Sequence, residues 1–139
     1  MAALEKITVS VLVSAPVGET WRAFVTPSTI REWNFASDDW RCPEAVNDFR
    51  EGGTFNYRME SRDGKAGFDF TGIFLRIVPE DLIEYALDDG RKVSVSFRSR
   101  DDGTELIETF EAEGEYSITL QRQGWQAILD NFKKRVERA

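Results

Sequence analysis

The sequence predicts an α+β fold in which a curved antiparallel sheet wraps around one long C-terminal helix. Residues 117–138 carry apolar side chains at helical spacing, which indicates an amphipathic helix with one buried face. Most of the preceding chain alternates apolar with polar residues between Asp-Gly turns, which indicates antiparallel strands. Because the helix must bury its apolar stripe and the sheet must bury one face, we expect the two to pack together.

The length and charge of the chain limit what kind of protein it could be. At 139 residues it is expected to form one domain, spanning residues 1–139. The net charge of −7 argues against binding to nucleic acid or to anionic membranes, because both are negatively charged. No apolar run is long enough to span a membrane, and the first residues, MAALEKITV, lack the features of a signal peptide.

The side chains available for chemistry narrow the possible reactions. The chain has no histidine, which removes histidine-dependent catalytic triads and the commonest metal ligand. We therefore expect neither a metal nor a cofactor. The single Cys42 cannot form an internal disulfide, so we expect a cytoplasmic location and interpret this residue as small and packed.

The first part of the chain is predicted to form a strand and then two short helices. Residues 6–13 alternate between apolar and polar positions, as in a strand. Pro16 suits the first turn of a helix, where its missing N–H costs nothing, and this helix is expected to end near Thr26. Pro27 is expected to open a second short helix that continues to Trp33.

The next segment, residues 34–47, has no clear period and reads as a long loop. It nevertheless carries several aromatic side chains, which favours a loop that is folded onto the core or is functional. One hypothesis is a lid over a cavity mouth, with Asp38 and Asp39 as polar contacts. The other is a packed loop in which these acids cap backbone N–H groups.

The strands that follow are marked by three Asp-Gly dipeptides, at residues 63–64, 89–90 and 102–103, which favour tight hairpins. The alternating runs are residues 55–60, 68–75, 82–87, 93–97 and 106–110. The predicted order is therefore a strand, two short helices, about six strands and a long helix. The apolar stripe of that helix comprises Leu120, Trp125, Ile128, Leu129, Phe132 and Val136. Gly124 has no side chain and could leave room beside the helix.

Three stretches of this sequence together resemble one family: SAPVGETWRAFVTPSTIREW, DFREGGTF and QRQGWQAIL. The chain resembles the prokaryotic proteins related to the activator of heat shock protein 90 ATPase, in the START/SRPBCC superfamily. The resemblance implies a helix-grip fold like that of the birch-pollen allergen (Bet v 1-like). In that fold a seven-stranded antiparallel sheet grips the C-terminal helix, two short helices close one end, and a cavity often lies between sheet and helix.

Strand alternation and the helix stripe select candidate ligand contacts on the inner face of this fold. They could fill a solid core or surround an apolar pocket with a few placed polar groups. The strand positions expected to point inward are Phe55, Tyr57, Met59, Phe68, Phe70, Tyr85, Val95, Phe97 and Phe110. The helix is expected to contribute Trp125, Ile128 and Leu129, and the segment after the short helices Trp33 and Trp40.

Glu108 is the candidate site residue that could bind a polar group or transfer a proton. It alternates with Leu106 and Phe110, so it is expected to face inward, where burial tends to raise the pKa of a carboxyl. A group of this kind could anchor a ligand or act as a general acid or base. Alternatively, Arg58 or Tyr57 could pair with it in a structural network, or a local bulge could turn it outward.

Three functions remain open from the sequence, because the superfamily includes lipid carriers, cyclases, hydrolases and chaperone regulators. The leading hypothesis is a binding protein for a small hydrophobic or amphipathic ligand. The second is an enzyme of cyclase, dehydratase or hydrolase type, with Glu108 as acid/base and Tyr57 or Tyr85 as hydrogen-bond partner. The third is a chaperone-interacting module, a weaker expectation because the additional N-terminal domain of the full eukaryotic activator has no counterpart here. The chain could be a monomer or a dimer.

Overall fold

The computed structural model describes residues 4–138, and its architecture confirms the predicted helix-grip fold. The seven strands form one curled antiparallel sheet with the order β1-β7-β6-β5-β4-β3-β2, and the long helix lies against its concave side. The elements are β1 (Lys6–Val13), α1 (Val17–Val25), α2 (Pro27–Ile30), β2 (Trp40–Asn47), β3 (Thr54–Ser61), β4 (Gly67–Val78), β5 (Leu82–Leu87), β6 (Lys92–Arg100), β7 (Gly103–Glu111) and α3 (Ile118–Arg138).

The Asp-Gly dipeptides form hairpin turns, as the sequence predicts. Gly64 joins β3 to β4 with a φ of 76°, and Gly90 joins β5 to β6 with a φ of 91°. These backbone angles lie in the left-handed region, where a residue with a Cβ atom is disfavoured. The turns therefore fix the antiparallel register locally, before any long-range packing is considered.

The prediction of a loop over residues 34–47 is wrong for its second half, which forms the edge strand β2. The pairing of β2 with β3 shifts between Arg41 and Glu44, so a bulge interrupts the alternation that would have indicated a strand. Pro43 lies inside the bulge of this edge strand, where its missing N–H donor is tolerated. Cys42 is buried there, as predicted, and burial raises the pKa of its thiol to about 11.

The helix α3 is capped by Ser117, whose Oγ accepts a hydrogen bond from the Leu120 N–H at 3.1 Å. Phe132 and Val136 are buried as predicted, at 0% and 8% exposure. Leu120 is 58% exposed, so its assignment to the buried stripe is wrong. In the first turn the buried position belongs to Gln121 instead, because its amide satisfies the backbone of the preceding loop.

The short helices close one end of the grip through an aromatic cluster. The ring of Phe132 lies 5.4 Å from that of Phe24 and 4.9 Å from that of Trp33, both in edge-on contact. The indole N–H of Trp33 donates to the carbonyl oxygen of Ala23 at 3.0 Å. The helix α2 ends at Ile30, earlier than predicted, and the chain turns so that Trp33 enters the cluster.

Candidate ligand-binding cavity

A cavity of about 340 Å³ lies between the sheet and α3. Most of the predicted ligand-contact residues border it. From the strands these are Phe55, Tyr57, Met59, Phe68, Phe70, Tyr85 and Glu108; from α3 they are Trp125 and Ile128, and from the turn after α2 Trp33. The inner face of the fold is therefore not filled by side chains, so the solid-core alternative does not hold at this place.

Four of the strand and helix residues predicted to face inward are core residues that do not border the cavity: Val95, Phe97, Phe110 and Leu129. Phe97 and Leu129 are 3% and 1% exposed and pack away from the cavity. Phe110 lies behind Trp125, with the ring centroids 3.9 Å apart and the planes 12° from parallel. Strand alternation and the helix stripe place all four on the inner face, but neither pattern can separate a cavity wall from the layer behind it.

The predicted lid is not formed by the segment after α2. Asp38 and Asp39 are exposed and do not border the cavity, and their backbone carbonyl oxygens each accept a 2.7 Å hydrogen bond from Arg62. Trp40 also lies off the cavity, with its ring 6.0 Å from that of Phe68. These contacts hold the segment against the β3–β4 hairpin, so neither hypothesis about the two acids is correct.

The cavity also has walls that the sequence reasoning missed. Phe74 and Ile83 follow the same strand alternation as the predicted contacts, so that signal could have found them. The others lie on helices, turns and loops, where alternation gives no information. They are Phe24, Val25, Asn34, Phe49, Arg91, Glu113, Tyr116 and Gln121.

Glu108 faces the cavity, as predicted, from an apolar stretch of sheet. It is 6% exposed and stands directly across the ladder from Val9 on β1 and Val95 on β6. Along β7 its inward neighbours are Leu106 and Phe110, both essentially fully buried. Burial in these surroundings raises the pKa of the Glu108 carboxyl from its ordinary value of 4.5 to about 8.

The structural partners considered for Glu108 are engaged elsewhere. The Nε of Arg58 donates to Glu60 at 3.0 Å, and the hydroxyl of Tyr57 accepts a hydrogen bond from Asn47 at 3.1 Å. Within residues 4–138 no hydrogen bond or ion pair reaches the Glu108 carboxylate, which borders the open cavity instead. The predictions of an Arg58 or Tyr57 partner and of an outward bulge are therefore wrong.

Two tyrosine hydroxyls share this part of the cavity. Burial raises the pKa of Tyr57 to about 12. Burial also raises the pKa of Tyr85 well above 10, and the negative charge of Glu108 raises it further, while Arg91 lowers it. Both tyrosines are therefore neutral hydrogen-bonding groups at physiological pH.

The mouth of the cavity is built by the loop between β7 and α3. The amide of Gln121 is 8% exposed and makes three hydrogen bonds to the backbone of this loop. Its oxygen accepts from the Glu113 N–H at 2.9 Å, and its nitrogen donates to the carbonyl oxygens of Glu113 at 3.1 Å and Tyr116 at 2.8 Å. The Glu113 carboxylate accepts in turn from the Glu115 and Tyr116 N–H groups, at 2.8 and 2.6 Å. The loop is thus held by the Gln121 amide of α3 and by its own Glu113 carboxylate.

Two further findings concern sites of other kinds. Across residues 4–138, no group of three or more Cys, Asp or Glu side chains is arranged to hold a metal ion. No helix in the same part of the chain is long and apolar enough to cross a membrane.

Comparisons with known proteins agree with this geometry. The chain is similar to an AHSA1-like protein from Aeromonas hydrophila with 41% identity, 96% of this chain and 93% of the other covered, and a TM-score of 0.91. A protein from Cytophaga hutchinsonii is 42% identical over 96% of this chain and 92% of its own, with a TM-score of 0.83. A protein from Chromobacterium violaceum shares the fold at 23% identity and a TM-score of 0.85, with 96% of this chain and 98% of its own covered.

The comparison with curated proteins finds no match. A family model described as "Activator of Hsp90 ATPase homolog 1-like protein" matches residues 14–137, which is most of the chain. The matched region contains α1, α2, six of the seven strands and nearly all of α3. The chain therefore belongs to the Activator of Hsp90 ATPase homolog 1-like family.

Proposed function

We propose that this protein binds a small apolar or amphipathic molecule in the cavity between the sheet and α3. The observation that carries the proposal is the cavity itself. Its volume of about 340 Å³ falls within the range of about 300–1,000 Å³ that is usual for ligand sites. Its walls are mainly aromatic and aliphatic side chains, with few polar groups among them, as such sites require.

The exposed lining residues mark where a ligand would enter. Phe68 and Tyr116 border the cavity and are 46% and 60% exposed, so the cavity meets solvent between the β3–β4 hairpin and the loop before α3. Glu108 also borders the cavity but is only 6% exposed, so its carboxyl lies on a buried part of the wall. A ligand that follows this path brings one end to the carboxyl and keeps its other end near the mouth.

The proposal is tested with the neutral fluorescent probe N-phenyl-1-naphthylamine, whose emission rises in apolar surroundings. Ile128→Trp adds bulk at a position that borders the cavity from α3. Leu120→Trp adds the same side chain to the exposed side of the same helix and serves as the control. We expect the unaltered protein and Leu120→Trp to bind the probe with equal affinity. The affinity of Ile128→Trp for the probe should be at least tenfold lower.

Thermal unfolding of both variants confirms that they are folded before binding is compared. A probe that binds all three proteins equally well lies outside the cavity, and that result contradicts the proposal. The absence of probe binding to the unaltered protein at micromolar concentrations would contradict it as well.

One observation favours a second candidate, an enzyme that uses Glu108 as a general acid or base. A carboxyl with a pKa of about 8 exchanges its proton near neutral pH, as acid–base catalysis requires, and the Tyr85 hydroxyl offers a second polar group in the same cavity. The test applies once a ligand is identified by screening. Glu108→Gln should then abolish conversion of that ligand and change the affinity for it by only a few-fold. A ligand that is recovered unchanged from the unaltered protein would indicate binding without catalysis. The chaperone-interacting function stays a prediction.

A further inference from the structure

We propose that the ligand is an organic cation, an amine or quaternary ammonium group on an apolar body, with its positive charge held against the Glu108 carboxylate. This inference rests on the proposed function of the cavity and names the chemical class of its ligand. It follows from three features of the cavity wall: a buried carboxylate without a counter-charge, a set of aromatic rings on the same wall, and a net negative set of ionisable lining residues.

The first feature is the Glu108 carboxylate, which is buried on the cavity wall without a hydrogen-bond partner or a counter-charge among the described residues. A buried carboxylate is costly unless it is paired or hydrogen-bonded, and residues 4–138 provide Glu108 with neither. The four side chains that frame it on the sheet, Val9, Val95, Leu106 and Phe110, are all apolar. Its oxygens border the cavity, so a donor or cation that pairs with the carboxylate must come from a molecule inside the cavity.

The second feature is a connected set of aromatic rings on the cavity wall. The ring of Phe55 lies 4.9 Å from that of Tyr57, 5.9 Å from that of Phe70 and 5.2 Å from that of Tyr85. Phe70 continues the set to Trp125, with 6.1 Å between the ring centroids. Aromatic faces attract cations through their negative quadrupole, most strongly where water is excluded. A wall of rings beside a carboxylate is a surface suited to an ammonium group.

The third feature is the balance of charge around the cavity. Arg91 is a lining residue, but its Nε is 2.7 Å from the Asp89 carboxylate and a second guanidinium nitrogen is 3.4 Å from the Glu111 carbonyl oxygen. Its charge is therefore already balanced. Glu113 adds a second carboxylate to the lining near the mouth. With a net charge of −7, the protein as a whole also attracts cations.

A neutral ligand is the alternative that the experiment must separate from a cation. With its proton, Glu108 could donate a hydrogen bond to a ligand carbonyl instead. The two cases differ in the sign of their pH dependence. A permanent cation requires the ionised carboxylate, so its affinity rises by about tenfold per pH unit up to the Glu108 pKa of about 8. A neutral acceptor requires the protonated carboxyl, so its affinity falls above that pH. The other titratable groups on the lining are the same whichever ligand is bound; they are Tyr57, Tyr85, Arg91, Glu113 and Tyr116.

The probes are benzyltrimethylammonium and its neutral isostere neopentylbenzene, which have the same shape and differ in charge. Each is titrated against the full chain loaded with N-phenyl-1-naphthylamine, between pH 6 and pH 8.5, and displacement gives the affinity. We expect the affinity for the cation to rise with pH as stated and the affinity for the isostere to stay constant. Glu108→Gln should lower the affinity for the cation at least tenfold at pH 8 and remove the pH dependence of that affinity. The affinity for the isostere should change by less than twofold.

The outcomes separate this inference from the proposed function. If the isostere displaces the probe while the affinity for the cation does not rise with pH, or rises equally in Glu108→Gln, the inference is refuted and the cavity remains a binding site. If the probe itself does not bind, the proposed function fails and the inference fails with it. The pH profile of the unaltered protein is sufficient by itself, so the test does not depend on the folding of the variant.

Discussion

The protonation of Glu108 gives a stability prediction that needs no ligand. The pKa of this carboxyl is about 8 in the folded protein against an ordinary value of 4.5. Because the folded pKa is raised, the contribution of the neutral carboxyl to stability is complete below pH 4.5 and is lost as the pH rises through 8. Between these values the folded protein binds one more proton than the unfolded chain, so raising the pH favours unfolding.

The magnitude follows from the size of the shift. Each pH unit between the two pKa values is worth about 1.4 kcal/mol, so the 2.5 units from pH 4.5 to 7 remove about 3 kcal/mol from the free energy of unfolding. Glu108→Gln keeps the shape of the side chain and cannot ionise. We therefore expect the free energy of unfolding of the variant to rise by about 3 kcal/mol relative to that of the unaltered protein as the pH increases from 4.5 to 7. This difference should level off above pH 8.

Urea unfolding of both proteins at half-unit steps from pH 4.5 to 8.5 measures this difference. Glu105→Gln, on the same strand, removes a partly exposed carboxylate that pairs with Arg100 and serves as the control. A trend shared by both variants would come from lost surface charge rather than from burial. A stability difference between Glu108→Gln and the unaltered protein that stays constant with pH would refute the reasoning.

Two substitutions in α3 test how the helix holds the fold and the cavity mouth. Phe132→Ala removes a fully buried ring and should lower the free energy of unfolding by about 3–5 kcal/mol, whereas Leu120→Ala, on the exposed side, should change it little; equal urea midpoints for the two variants would disprove the gripped helix. Gln121→Ala leaves the backbone of Glu113 and Tyr116 without three hydrogen bonds and should cost about 1–3 kcal/mol. Faster hydrogen exchange at the Glu113 amide would locate that loss at the mouth, and unchanged exchange would show that the loop does not depend on Gln121.

The parts of the fold that local signals determine were predictable, and the parts that depend on distant contacts were not. Asp-Gly turns and strand alternation act within a few residues, so the hairpins and the inward direction of Glu108 could be predicted. The strand β2 was missed because a bulge at the sheet edge breaks its alternation. Leu120 was placed in the core instead of Gln121 because periodicity favours the apolar residue, whereas the buried amide is satisfied by the loop before the helix.

The candidate site likewise has features that the sequence could predict and features that it could not. Alternation selected most of the aromatic wall, because those residues lie on strands with one face inward. It could not show that Glu108 lacks a partner, because that depends on where Arg58 and Tyr57 find theirs. The polar residues of the mouth come from the loop before α3 and from Gln121 in the first turn of that helix, and their meeting at one opening is a property of the folded chain alone.

The stack between Phe110 and Trp125 has a consequence for the thermodynamics of ligand capture. Phe110 is fully buried, so the indole that lies flat against it at 3.9 Å is held in one orientation before any ligand arrives. Ordering a mobile side chain on binding costs about 0.5–1.5 kcal/mol, and a preorganised wall avoids that loss of entropy. Phe110 does not border the cavity, yet replacing it with alanine would weaken capture, because the Trp125 indole on the cavity wall would lose the ring that orients it.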